Sequence, residues 1–191
     1  MTEVDKEHLS EELDSTMGID AIGRFIRRIE DGELSVVLFY DISMERNDRT
    51  GFHAAWILEK LCEKTPDYAC LFVDSMAKDF NKIQYQGSMR AYAKLLSRLL
   101  RQQKRGKLNE TLSAKLQSLN PDKLIENCFL FLLNPKVRFS VKQMCCELLL
   151  HYKEKEIWIG EELHAFAAAL ALQTTPSAQS YHKKLLKSLA S

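Results

Sequence analysis

Apolar residues recur at helical intervals along most of the chain. One set runs Ala54, Ala55, Leu58, Leu61, Cys62, and another Tyr92, Ala93, Leu96, Leu99, Leu100. Steps of one, three and four place side chains on one face of a helix. The second set is the first displaced by 38 positions, from 54 to 92. A looser copy, Met144, Cys145, Leu148 and Tyr152, follows after a further 52, and His182, Leu185 and Leu189 continue it 37 beyond. The long interval holds about 14 residues more than the others, and the polar stretch 101–115 is where they are expected. A unit of 37 or 38 residues has room for two helices and their turns, the repeat of an α-solenoid.

The prolines place the helix starts. All 4 follow a residue able to cap a helix: Thr65-Pro66, Asn120-Pro121, Asn134-Pro135 and Thr175-Pro176. Proline at the first helical position loses nothing, because its missing N–H would have no intrahelical partner there. The preceding Thr or Asn can accept a hydrogen bond from a donor one turn in. With the apolar spacing, these marks predict helices over 17–30, 33–44, 49–63, 67–82, 86–104, 109–118, 121–133, 136–153, 156–172 and 177–190. The run Ser35-Val36-Val37-Leu38-Phe39-Tyr40 has strand propensity. No second β-branched run exists to pair with it, so it is read as a buried helix. The expected fold is all-α, an α-α superhelix of about five antiparallel helix pairs. Residues 17–191 form a single solenoid domain behind an acidic tail, 1–16, that is either disordered or a short helix.

Composition narrows this picture. With 46% hydrophobic and 28% charged residues, the chain has globular rather than disordered proportions. Its 7 glycines and 4 prolines are too few for the tight turns of a sandwich or barrel. The acidic residues that dominate positions 1–14, with no apolar run among them, are not the pattern of a secretory signal. The longest apolar runs, 128–133 and 165–172, fall far short of the roughly 20 residues that span a bilayer. A cytoplasmic location without a membrane partner is expected. The 5 cysteines, Cys62, Cys70, Cys128, Cys145 and Cys146, include no C-x-x-C pair and are read as small buried apolar residues.

Two segments carry a resemblance: Phe52-His53-Ala54-Ala55-Trp56-Ile57-Leu58-Glu59, and Ser88-Met89-Arg90 running to Leu95-Leu96. On these the chain resembles the armadillo and HEAT-like group of stacked antiparallel helices, and within it a family of short bacterial helical-repeat proteins. Some members of that family carry an adenylosuccinate lyase label. The serine loop of the lyase superfamily has the form G-S-S-x-x-P-x-K-x-N-P. Here Gly87-Ser88-Met89-Arg90 keeps only the first two letters and runs on into a helix, so lyase chemistry is not expected.

Charge supplies the sharpest local feature. Arg90, Lys94, Arg98, Arg101, Lys104, Arg105 and Lys107 fall in a stretch, 83–109, without Asp or Glu. Steps of 4, 4, 3 and 4 from Arg90 through Lys94, Arg98 and Arg101 to Arg105 align five of them on one helix face. Arg90, Lys94, Arg98, Arg101, Lys104 and Arg105 are therefore the candidate surface for an anion or an acidic partner. The competing reading is a solvated face neutralised by acids of a neighbouring helix or of the tail, which fits an overall charge of +1. The HEAT-like resemblance also brings in alkylpurine glycosylases, which use aromatic and acidic residues in a basic groove. Trp56 with Glu59, or Tyr92, are the nearest counterparts, although a tryptophan on an apolar helix stripe is far more often core.

Other chemistry is sparse. His8, His53, His151, His164 and His182 are scattered and none sits in H-E-x-x-H, so no metal site is expected. Neither a phosphate-cradling glycine loop nor G-x-S-x-G occurs, and no cofactor or catalytic residue is assigned. Ile157-Trp158-Ile159 puts large apolar groups on consecutive positions that cannot all face one core. Trp158 is either exposed or packed beneath the preceding turn, and packing is the preferred reading. The last helix, with Lys183, Lys184 and Lys187, reads as a polar-faced cap on the stack. The first functional reading is a non-catalytic scaffold binding a protein or peptide. A nucleic-acid binder using the basic face, related to DNA alkylation repair glycosylases, comes second, and an enzyme third.

Overall fold

The computed structural model describes residues 3–15 and 17–190. Among them eleven α-helices follow one another: α1 (Glu3–Asp14), α2 (Ile19–Glu30), α3 (Val36–Glu45), α4 (Arg49–Lys64), α5 (Val73–Asp79), α6 (Gln86–Lys104), α7 (Glu110–Ser118), α8 (Asp122–Leu133), α9 (Phe139–Leu149), α10 (Ile157–Ala171) and α11 (Pro176–Ala190). Two 3₁₀ turns, Pro66–Leu71 and Phe80–Lys82, flank α5. No strand occurs among the described residues; the β-prone run 35–40 enters α3, where Val36, Leu38, Phe39 and Tyr40 are buried. Val37 stays exposed, and the burial of the other four holds the run as a helix against the core.

Helices joined by short turns pack on each other, α3 on α4, α8 on α9 and α10 on α11. The second member of each pair then lies beside its counterpart in the next, α4 against α6 and α6 against α9. Helix α11 continues that row through Tyr181, whose ring meets Phe139 of α9 edge-on at 6.0 Å. The outcome is an α-α superhelix of two rows. One row is α4, α6, α9 and α11; the other is α3, α5, α8 and α10, with the core between them. The repeating apolar sets fall in the first row, buried or half-buried in the core. Helix α7 lies in the long interval of the repeat and packs against α5 and the first 3₁₀ turn.

Helix ends follow local rules where side chains permit. Gly32 (φ 79°) and Gly106 (φ 62°) close α2 and α6 in the left-handed conformation that glycine adopts at no steric cost. After α6, Lys107 N–H donates to Gln102 and Gly106 N–H to Gln103, the paired bonds of a Schellman ending. Asp48 caps α4 by accepting from Gly51 N–H at 3.1 Å, and Asn109 caps α7 from Leu112 N–H at 2.8 Å.

Three expectations are corrected. The helix expected over 67–82 is broken into a 3₁₀ turn, α5 and a second 3₁₀ turn. Phe72 leaves the helical region (φ −142°, ψ −7°), and its ring is stacked on Tyr40 of α3 at 5.8 Å, a tertiary contact that overrides local propensity. The helix expected over 136–153 is confined to α9. Asn134 accepts from Lys136 N–H at 2.9 Å in a turn, so Asn134-Pro135 precedes the helix without starting it. Thr65-Pro66 opens a 3₁₀ turn rather than an α-helix. Only Thr175-Pro176 puts proline at the first position of an α-helix, while α8 begins one residue after Pro121.

Residues 3–14, inside the segment expected to be a disordered tail or a short helix, form α1. Leu9 and Leu13 are buried in the core. The buried His53 ring uses Nδ1 to bond the Leu13 carbonyl at 2.7 Å, and Thr50 hydroxyl donates to Asp14 at 3.0 Å. The start of α4 thereby satisfies the end of α1.

Candidate functional site

The basic face of α6 runs along the first row, between α4 and α9. Lys94 Nζ donates to Glu59 Oε1 of α4 at 2.5 Å, and Arg98 to Glu63 of α4 at 2.7 Å. Both pairs span 35 positions, one helical turn apart, so a single register of α4 against α6 makes both. Arg101 reaches Glu147 of α9 at 3.4 Å, and Glu147 is shared with Lys184 of α11 at 2.7 Å. On the far side of α4, Lys64 pairs with Glu30 of α2 at 2.7 Å. Acids and bases thus alternate from α2 to α11. The Arg98 and Lys60 bonds hold the Glu63 carboxyl down at about 2.

Lys94, Arg98 and Arg101 are engaged inside the molecule, while Arg90, Lys104 and Arg105 make no ion pair among the described residues. Arg90 lines a cleft of 390 Å³ with Phe52, Tyr85, Arg138 and Ser140. Lys104 and Arg105 lie at the exit of α6, beside Lys107. The six positions of the sequence pattern therefore divide into three between helices, one at a cleft and two at a helix end.

A second surface lies in the other row. Helices α8 and α10 meet through the rings of Phe129 and Trp158, 5.1 Å apart and inclined at 38°. Beside that contact opens a groove of 700 Å³ with Ile125, Phe129, Leu130, Leu133 and Trp158 as its apolar lining. Leu130 is 62%, Leu133 68% and Trp158 45% exposed. Asp122, Glu126, Lys155, Glu156 and Glu162 border it. Asp122 pairs with Lys155 at 3.4 Å; Glu126, Glu156 and Glu162 make no ion pair among the described residues. Trp158 is not tucked beneath the preceding turn, because Ile159 takes the core position and the neighbouring side chain points about 100° away.

A family model described as a HEAT repeat domain matches residues 9–189. The chain belongs to the HEAT repeat domain family. No curated protein and no solved structure matches it. The match begins within α1, at the first of that helix's two core leucines.

In this HEAT repeat chain the residues nearest to a glycosylase constellation are structural. Tyr92 is buried and its hydroxyl bonds the Ser43 hydroxyl of α3. Glu59 is 1% exposed and held by Lys94, while its second oxygen, Oε2, has no hydrogen-bond partner among the described residues. Trp56 is half-buried and stacked on Phe52 at 5.6 Å. His151 Nε2 lies 3.2 Å from Ser97 Oγ; burial, and after it the charges of Lys104 and Arg101, push its imidazole down to about 4. Cys62, Cys128, Cys145 and Cys146 are buried, and burial pushes the Cys62 thiol up to about 12, far from a reactive thiolate. Among the described residues no helix is long and apolar enough to cross a membrane.

The groove has a signal in the sequence, the apolar run that is too short to span a bilayer. The run 128–133 is apolar at six consecutive positions, and a helix packed on one side cannot bury them all. Leu130 and Leu133 are the two left outside.

Proposed function

We propose that this HEAT repeat chain is a non-catalytic interaction scaffold that binds a protein or peptide partner, and that the groove between α8 and α10 is the surface it uses. The observation that carries this reading is the exposure of Leu130, Leu133 and Trp158 side by side on rigid helices. Scattered exposed leucines are ordinary, whereas a contiguous apolar patch with a polar border is the anatomy of an interface. A photoreactive benzophenone side chain placed at position 133 tests it in cells. A discrete protein adduct is expected there. Adducts to nucleic acid at position 105, with none to protein at 133, would overturn the reading.

Lys104 and Arg105, which make no ion pair among the described residues, with Lys107 beside them, favour a second reading, binding of nucleic acid at the exit of α6. Anisotropy of labelled DNA and RNA at about 50 and 200 mM salt reads it, because binding through phosphates weakens steeply with salt. Against it stands the engagement of Lys94, Arg98 and Arg101 by acids of the chain itself.

A further inference from the structure

The groove between α8 and α10 combines three features that together describe an occupant. Its floor is apolar, from Ile125, Phe129, Leu130, Leu133 and Trp158. Its walls are α8 and the start of α10, and no strand edge borders it among the described residues. Its border carries the unpaired carboxylates Glu126 on α8, Glu156 immediately before α10 and Glu162 on α10, so acid faces the groove from both walls. The molecule as a whole carries only +1, so this acidity is local to the groove.

We propose that the groove receives an amphipathic α-helix of a partner protein, with leucine-sized residues along one face and lysines or arginines flanking them. The proposal rests on the scaffold reading above and names the chemistry of its partner. An extended peptide pairs its N–H and C=O groups along a strand edge, and no strand occurs among the described residues. A helix satisfies its backbone internally and presents only side chains. Helix α8, 12 residues long, runs about 18 Å, and anchors at i, i+3 or i+4, and i+7 need about 10 Å of that. Ridge-into-groove packing between helices accommodates such a row. The flanking acids favour a basic helix and disfavour an acidic one, so they set selectivity and encounter rate. A second copy of this chain is a poorer fit. Lys104 and Arg105 close a helix whose Leu96, Leu99 and Leu100 are already buried, and α11, which carries Lys183 and Lys187, offers the single exposed leucine Leu186 rather than a row.

The test uses the full chain and three fluorescein-labelled 18-residue peptides. One has leucines at helical spacing and lysines elsewhere, one replaces the lysines by glutamates, and one scrambles the leucine–lysine order so that no apolar face forms. The leucine–lysine helix is expected to bind, and the other two at least ten-fold more weakly. Leu130→Gln with Leu133→Gln should weaken binding at least ten-fold while circular dichroism and Tm stay unchanged. Glu126→Gln with Glu156→Gln and Glu162→Gln should remove most of the preference for lysine over glutamate. Equal binding of the acidic peptide, or indifference to the leucine changes, overturns the proposal. So does a dimer in light scattering that Leu133→Gln dissolves, which would make the occupant a second copy. If the basic helix fails while the crosslink at position 133 still captures a protein, the partner chemistry is wrong and the scaffold reading stands. If no protein is captured, the scaffold reading falls as well.

Discussion

The two rows of the solenoid treat their outer side chains differently. In the row of α4, α6, α9 and α11, neighbours complete one another: Glu59 with Lys94, Glu63 with Arg98, and Glu147 with both Arg101 and Lys184. In the other row the links become sparser toward the C-terminus. Between α5 and α8, Asn127 donates to the Phe80 and Ile83 carbonyls at 2.7 and 3.2 Å. Between α8 and α10 the links are the Phe129–Trp158 contact and the exposed pair Lys155–Asp122, and there the apolar groove opens. In a stack of repeats each helix contacts only its neighbours. A surface free for a partner therefore arises where neighbours leave each other incomplete, which need not be where charge is densest in the sequence.

The largest single effect is expected at Gly51, where α4 meets the connection from α3. A Cβ there would lie 1.8 Å from the Arg46 carbonyl oxygen, and a backbone atom cannot swing aside. Gly51→Ala should cost about 3 to 4 kcal/mol, read by urea denaturation. Gly160 in α10 has no neighbour within 4 Å of the same position. Gly160→Ala should instead stabilise by about 0.5 to 1 kcal/mol, the helix preference of alanine. Similar costs at the two sites would mean that the α3–α4 connection shifts to admit a side chain at Gly51.

Next in size is the Glu59–Lys94 pair. Lys94→Ala leaves a carboxylate buried at 1% exposure without its one partner, at a cost of about 3 kcal/mol. The double change Glu59→Leu with Lys94→Met removes both charges and should recover most of that loss. Arg98→Ala, at a pair with far more solvent access than Glu59–Lys94, should change stability by under about 1 kcal/mol. A double-mutant cycle in which Glu59 and Lys94 prove independent would mean that water, not the pair, solvates the carboxylate.

Asn127→Leu probes the link that α8 makes to its own row. It strips a donor from two carbonyls at a buried site, and about 2 kcal/mol should be lost in thermal or urea unfolding. His151, at the end of α9, makes the first row sensitive to acid. Its folded value of about 4 lies below the ordinary 6.5, so the folded state prefers the neutral ring. Stability is intact above about 6.5 and declines as pH falls toward about 4, by about 1 to 2 kcal/mol for this partly exposed ring. His151→Gln should flatten that decline. Glu63, held at about 2, gives up its contribution only as pH falls below the ordinary 4.5 toward about 2, so the two windows separate.

The sequence made the first row legible and the second far less so. Helical spacing around Leu58, Leu96, Leu148 and Leu185 found the core faces of α4, α6, α9 and α11, because burial on one side is written in a period near 3.6. The basic run on α6 was equally visible, but its partners lie 35 and 46 positions away, and a pattern along one helix does not reveal what faces it. The break at Phe72 depends on Tyr40, some thirty residues upstream, and so left no local mark. Asn134-Pro135 had the form of a helix start and made a turn instead, because a side-chain acceptor two residues before a donor suits both.

The smallest expected effect is also the sharpest test of the contrast between the rows. Leu133 is exposed in the isolated chain, so replacing it removes little packing from the folded state. Leu133→Gln should therefore leave Tm within the scatter of surface substitutions, about 0.5 kcal/mol or less in stability. The buried Leu132 beside it should cost about 2 to 5 kcal/mol when cut to alanine. A leucine that contributes little to its own fold and sits in a patch with Leu130 and Trp158 is free to serve a contact outside the fold. If Leu133→Gln destabilised the free chain as much as Leu132→Ala does, the groove would be part of the core, and the surface assigned to a partner would already be in use.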